Sequence, residues 1–516
     1  MKGGYKTLRE AMPVIGETED IPNGLGDLAE RVRTATVLND DAVGTVSASG
    51  SVYKGDMVTL TRELGKKGEN IRIANGEATM LGTTSLGGTV VILFSQDDDT
   101  HIKTAKWNGT DWTLGPTQTF VEGPLDKVIL VPYQTSPTGG TWYLAAFYQE
   151  DDVGMVQFWA LESAGLTHYG TDIWMDEPMA NICGAWTPRK TVNTNGISTS
   201  YSNALTMAGL NKDGKIAVVE IVPQWQWSDA ESKSYLTAYI RSSRTIEPGD
   251  YTGMDFREAK LVDFTIPEPD KEIYDSTAWN LICNPFMGSM LLVFPGADGK
   301  RYVLELWLVY YDYSLKPTAS FIYEPAGCQP MMLEGQLPCG SGIGSLGGPS
   351  RLESSAPLLV AGLSRLSGPN MKSAVGVEQW YSGYGHRLLP LWFGEEDQSY
   401  GKNVGLLSVC SSAADNSAVA VGYCVEGKYR AFLLYVHKKG LELIGGPTVE
   451  LADVSTAGAL VASGEGSALV WEKSNSIFLQ QFAPKDVVIS TGKGAVSDGV
   501  AVTGGRGGQE VQIRGI

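Results

Sequence analysis

Between Asn403 and Leu451 apolar and polar positions fall into short blocks that read as four strands of one antiparallel unit. Residues 405–410 form a short apolar run, and a polar stretch at 411–417 closes it. Residues 418–424 are small and apolar, Glu426 and Gly427 turn the chain, and 429–437 make a long strand. A second turn at 438–440 leads to a fourth strand over 441–451, broken by Gly445, Gly446 and Pro447. Glycine, Asn and Asp between β-rich runs are what hairpins need, because their tight turns require positive φ. If this unit recurs, the chain is a radial array of four-stranded sheets.

It does recur. Strands are expected at 90–95, 101–107 and 112–120, then at 127–133, 142–148, 155–161 and 166–174. Fourth strands share a feature, a Gly a few positions in (Gly115, Gly170, Gly445), which allows a bulge or bend. The spacing of the first units is close to the ~40–50 residues of repeated four-stranded blades. A third unit comprises 180–186, 204–210, 215–222 and 235–242, with an outer strand expected late, at 260–266. A fourth comprises 279–283, 289–294, 302–313 and 319–323; a fifth comprises 358–363, 373–380 and 387–393, entered through a loop at 325–355. The last comprises 457–462, 468–472, 477–482 and 487–490.

This period and strand pattern, over residues 76–490, resembles the β-propeller architecture without matching a named blade motif. The expected fold is all-β, a propeller of about seven four-stranded blades, with six or eight compatible with the same pattern. The ends differ. Residues 1–35 read as an arm or tether, with one short helix over 26–36 carrying Leu28 and Val32 on one face. Residues 36–75 read as a small β-element with strands at 44–52 and 57–61. Residues 491–516 hold strands at 499–502 and 510–513 around a Gly-rich stretch at 503–508. That C-terminal segment resembles the short terminal β-segments of some tailed-bacteriophage virion proteins; a closing hairpin of the propeller is the alternative.

Charge narrows the partners. The chain has 516 residues and a net charge of −18, which argues against nucleic acid, whose phosphates demand clustered Lys and Arg. No stretch approaches the ~20 apolar residues of a membrane span, so no membrane insertion is expected. The N-terminal residues carry charge but no apolar core, so no signal peptide is expected. The six Cys show no CxxC spacing. Buried free thiols are the expectation, although Cys328 and Cys339 bracket a Gly- and Pro-rich loop and could pair if oxidised.

Candidate chemistry is sparse. Gly342, Gly344 and Gly347 have the spacing of a dinucleotide fingerprint, but the surrounding Gly- and Pro-rich stretch offers no helix N-terminus for a pyrophosphate and reads as a loop. The four His are isolated, and no GxSxG marks a nucleophile. Turn carboxylates at 97–99, 150–152 and 395–397 could run glycoside hydrolysis in pairs or hold calcium. Punctuating hairpins is their default role. Aromatic rings beside amides and acids suit sugar recognition, and the best exposed candidates are Trp225 and Trp227, then Tyr381, Tyr384 and His386.

These readings converge on a non-enzymatic virion structural protein of a tailed phage: a fibre, spike or decoration protein made in the host cytoplasm. Tyr5, Leu8, Ile15, Leu25 and Leu28 would anchor it to other virion proteins. The propeller would face a host-surface glycan or protein, with homo-oligomerisation following from particle symmetry. No catalytic residue, metal or cofactor is expected. A carbohydrate-active propeller enzyme and a cellular scaffold propeller are the alternatives.

Overall fold

The computed structural model describes residues 43–74, 76–134, 140–150, 153–177, 179–192, 199–246, 279–284, 289–295, 301–308, 315–322, 342–345, 358–365, 373–381, 386–392, 404–411, 418–436, 443–464, 466–490, 499–501 and 504–514. Its elements are all β-strands. The chain divides into two compact units, one of residues 66–483 and one of the segments on either side. These boundaries differ from 76 and 490 because two long strands belong partly to each unit. The first strands are β1 (Val43–Ala48) and β2 (Met57–Arg72), and β2 enters the larger unit at Lys66.

The larger unit is a series of antiparallel sheets in chain order. The first has β3 (Thr79–Leu86), β4 (Thr89–Gln96) and β5 (Asp99–Trp107), with β6 (Trp112–Leu114) and β7 (Gln118–Val121) sharing the far edge of β5. The second has β8 (Val128–Gln134), β9 (Trp142–Glu150), β10 (Val153–Glu162) and β11 (Gly165–Met175). The third has β12 (Ala180–Val192), β13 (Thr199–Leu210), β14 (Ile216–Ser228) and β15 (Lys233–Ile246). The fourth has β16 (Asn280–Asn284), β17 (Ser289–Pro295), β18 (Arg301–Leu308) and β19 (Leu315–Ile322). The fifth has β20 (Gly342–Ser345), β21 (Leu358–Arg365), β22 (Ser373–Tyr381) and β23 (His386–Trp392). The sixth has β24 (Val404–Ser411), β25 (Ala418–Val425) and β26 (Lys428–Val436), with β27 (Leu443–Gly445) and β28 (Val449–Asp453) both along β26. The seventh has β29 (Gly458–Ser463), β30 (Gly466–Lys473) and the first half of β31 (Ser476–Ser490).

Innermost strands touch from sheet to sheet: β3 meets β8, β8 meets β12, β12 meets β16, β20 meets β24, β24 meets β29, and β29 returns to β3. With the fifth sheet following the fourth along the chain, the seven sheets among the described residues are arranged as a ring of blades, a β-propeller. The fourth place in the seventh blade is taken by the second half of β2, which lies along β31. The Ile73 amide donates to the Ile477 carbonyl at 2.9 Å, and Gln480 Nε2 donates to the Lys67 carbonyl at 2.6 Å. The expected fourth strand at 487–490 is instead the end of β31, because residues 483–486, turn-like in composition, stay extended.

Three further expectations are corrected. The first blade gains β3, whose Thr-, Gly- and Ser-rich sequence makes no apolar run because it is the half-buried innermost strand. The glycines at 342 and 344, expected in a loop, form β20 and pair with β21 as the inner strand of the fifth blade. In the third blade 235–242 is already the outer strand, β15, so no later strand is needed; 260–266 lies outside the described residues. The glycine breaks hold: at Gly115 a Cβ would lie 2.2 Å from Thr104 Oγ1 where β6 gives way to β7.

Middle strands such as β25, and β4 from Thr89 to Phe94, are buried along their whole run because neighbouring blades cover both faces. The apolar core is correspondingly shared between blades. One cluster joins the first two (Val91, Leu144, Trp159), another the second and third (Phe147, Phe158, Val219). A third joins the seventh and first through Ile73, Phe94 and Leu479.

The smaller unit is also β. β32 (Gly499–Ala501) and β33 (Glu510–Arg514) pair antiparallel, β33 pairs β1, and β32 pairs Met57 and Val58 at the start of β2. Ala48, Val58, Val488, Ala501 and Val511 form its core. Arg62 and Asp486 form a surface ion pair at 2.9 Å. The expected helix at 26–36 and the proposed anchor residues Tyr5, Leu8, Ile15, Leu25 and Leu28 lie outside the described residues.

Candidate binding surface

The hairpin of β14 and β15 is built in two halves. Ile216, Val218, Val219 and Ile221 are buried among the blades. Opposite Glu220 a bulge sets Arg241 aside from the ladder, and the buried Glu220 carboxylate accepts from Arg241 at 3.1 Å and Ser242 at 2.8 Å. Beyond it the sequence changes to Pro-Gln-Trp-Gln-Trp-Ser, and the hairpin runs outward to a tip closed by Ser228 and Lys233.

Alternation puts Trp225 and Trp227 on one face and Gln224 and Gln226 on the other. Trp225 is 48% exposed and Trp227 62%. The Trp225 ring packs edge-on against Tyr169 at 5.1 Å and Tyr143 at 6.5 Å, both from the second blade. Trp227 Nε1 donates to Asp229 Oδ1 at 2.9 Å. On the other face Tyr235 donates its hydroxyl to Gln226 at 2.9 Å, beside the exposed Tyr239.

The hairpin is held in place by the second blade. The Ala238 amide, opposite Pro223, donates to Asp172 Oδ2 at 2.8 Å. Gly170 lets the backbones meet, since a Cβ there would lie 2.3 Å from the Leu236 carbonyl oxygen. Behind Trp225 the rings continue inward through Tyr143 to Tyr133, whose buried hydroxyl has no hydrogen-bond partner, and then to Trp186. Burial holds the Tyr133 phenol well above its ordinary range, with the neighbouring Tyr143 pushing the same way. It is packing, not chemistry.

Tyr381 and His386 stand directly opposite each other in register across β22 and β23; Tyr384 between them lies outside the described residues. In an antiparallel blade, the turns joining strands one to two and three to four leave on one face of the ring, and those joining two to three leave on the other. The β14–β15 and β22–β23 connections are both of the three-to-four kind. The two aromatic candidates therefore share a face.

The turn carboxylates sit elsewhere. Asp97 and Asp98 join β4 to β5, a two-to-three connection on the opposite face, with φ of 53° and 65°. The Asp99 carboxylate is engaged by the Gly123 amide at 3.0 Å. These are turn-forming roles. Residues 151–152 and 395–397 lie outside the described residues, as do Cys328 and Cys339. Cys183, Cys410 and Cys424 are free thiols. Among the described residues, no three metal-ligating side chains come together.

Fold and surface together define a β-propeller that carries an aromatic hairpin on one face. The chain matches no protein-family model and no curated protein. Solved structures similar to it include the WD40 domain of SCAP from fission yeast, at 10% identity and a TM-score of 0.38, covering 92% of this chain and 98% of that one. The fucose-specific lectin of Aleuria aurantia matches at 11% identity and a TM-score of 0.35, covering 78% of this chain and 99% of that one. Sqt1 of Saccharomyces cerevisiae matches at 11% and 0.32, covering 75% and 95%. Likenesses this distant carry no functional argument.

Proposed function

We propose that this chain is a non-enzymatic binding protein whose propeller presents the β14–β15 hairpin to a partner. The observation that carries the reading is the pair of exposed indoles, Trp225 and Trp227, on a hairpin fixed to the second blade. Exposed aromatic residues on a rigid support give large contact area at low entropic cost, as binding hot spots require. In the finer reading it is a virion structural protein of a tailed phage, with other virion proteins holding its ends and a host-surface glycan or protein meeting the hairpin. Two things favour that reading: the resemblance of the C-terminal segment, and a compact unit in which β1, β2, β32 and β33 gather sequence from both ends.

Immunogold electron microscopy of the native source, with an antibody against this chain, tests the virion reading. Label on particles is the expected result; label confined to free protein overturns it. Deleting residues 1–35 is expected to abolish incorporation while leaving the fold intact.

A further inference from the structure

The rim of the propeller carries a cleft that the hairpin reading does not use. In the seventh blade Trp471 pairs with Phe478 and Lys473 with Ser476, so alternation puts Trp471, Lys473, Phe478 and Gln480 on one face. Lys66 and Asn70 of β2 extend that face outward, and the end of β28 (Leu451, Ala452, Asp453) forms the facing wall. Between them lies a cleft of about 430 Å³. That volume falls at the small-ligand end of binding pockets, about 300–1,000 Å³.

Its lining is mixed in a particular way. Half-buried Phe478 stacks on Trp471, itself 6% exposed, with centroids 5.4 Å apart, so the apolar wall open to the cleft is mainly the Phe478 ring backed by the indole. Gln480 is 2% exposed and its Nε2 is committed to backbone carbonyls, while its Oε1 has no hydrogen-bond partner. At the mouth Lys473 bonds Asp453 at 2.8 Å, and Lys428 engages the other carboxylate oxygen. Those two ammonium groups hold the Asp453 carboxyl down at about 2, so it is a permanent acceptor at any physiological pH. Among the described residues Lys66 pairs loosely with Glu69, 3.6 Å away and 91% exposed. Asn70 is exposed beside it.

We propose that this cleft between the sixth and seventh blades binds a single sugar ring. A pyranose has an apolar C–H face that suits the aromatic wall and a rim of hydroxyls that both donate and accept. The paired Lys473 ammonium and Asp453 carboxylate, the exposed Lys66 and Asn70 and the open Gln480 Oε1 match that rim, whereas an apolar ligand would leave Gln480 Oε1 without a partner. Lys473 and Asp453 adjoin the β30–β31 turn, and none of the lining residues belongs to the aromatic hairpin. It is a second, independent site.

The test is saturation-transfer NMR and calorimetry on the full chain with free neutral hexoses, 6-deoxyhexoses, hexuronic acids and N-acetylhexosamines. At least one class is expected to bind, through its ring C–H face, and Lys66→Ala and Asn70→Ala are expected each to weaken it about tenfold. Both side chains are exposed, so unchanged melting of these variants separates loss of binding from loss of fold. No binding of any class overturns the proposal. So does binding that both variants leave unchanged, or that Trp227→Ala abolishes instead.

Discussion

The second and seventh blades have the same four-strand plan and are assembled in different ways. All of the second comes from residues 128–175, each strand following the last within a few residues of sequence. The seventh takes three strands from residues 458–483 and its outer strand from residues 66–72, nearly 400 positions earlier in the chain, a separation matched by the 404-residue gap across the Arg72–Ser476 hydrogen bond. One blade is local; the other is the clasp of the ring. Local contacts form and reform without help from the rest of the fold, whereas the clasp depends on closing a very long loop. The ring's stability should therefore be most sensitive at β2. Ile73→Pro deletes the amide bonded to Ile477 and empties a buried apolar position, and we expect it to cost about 4 kcal/mol. Thermal melting measures the loss, and limited proteolysis should show residues 458–483 losing protection before residues 128–175. A variant that melts like the parent would mean the clasp contributes little.

The local blade has its own sensitive point, of smaller size. Gly170→Ala would drive a Cβ to 2.3 Å from the Leu236 carbonyl, backbone against backbone, so β15 has to draw away from β11. Overpacking of this sort costs about 1–3 kcal/mol. Because Trp225 packs on Tyr169 one residue away, its emission should shift to the red as the hairpin loosens. Stability lost without an emission change would place the strain elsewhere.

The same contrast explains what could be read from the sequence. The sixth blade, from β24 to β28, matches its apolar blocks and turns to within about two residues, because its strands are consecutive and its middle strand Ala418–Val425 is buried throughout. The clasp was invisible, since no local pattern in 66–72 says that its partner lies at 476–483. Inner strands were hard for another reason. β3 and β20 are short of apolar residues, having Gly, Ser and Thr at most positions, so a search for apolar runs passes over them. Of the candidate residues, Trp225 and Trp227 were legible as rings alternating with amides beside a Pro. The inter-blade cleft was not, because Lys66, Asp453 and Phe478 meet only after the ring closes.

In β12, the inner strand of the third blade, sits the buried Cys183, which probes the core by pH. Burial pushes its thiol up to about 12 from an ordinary 9.0, against the opposing pull of the Lys127 charge. A raised thiol pKa means the unfolded chain gives up its proton first as pH climbs. The stabilising difference is complete below pH 9 and is lost between 9 and 12, by up to about 1.4 kcal/mol per unit. Cys183→Ala should flatten that slope in chemical-denaturation series across the window. In the parent at pH 8 the thiol should resist alkylation until the protein is unfolded; rapid native-state alkylation would contradict its burial.

Trp227 marks the other end of the scale, where structure and stability part company. It stands two residues from Trp225 on the same hairpin face, yet Trp225 leans on Tyr169 and Tyr143 while the polar contact of Trp227 is with Asp229 at the hairpin tip. Removing the Trp225 ring deletes inter-blade packing and should cost about 1 kcal/mol, in line with aromatic pair energies. Trp227→Ala removes a ring that is mostly in water, and its cost should stay within about 0.5 kcal/mol, as for ordinary surface changes. Two exposed indoles side by side on one hairpin face form the kind of apolar patch that marks an interaction surface. Equal melting with lost adsorption to the partner surface would assign the ring to binding. A marked loss of stability would instead make Trp227 part of the scaffold and leave Trp225 without its companion.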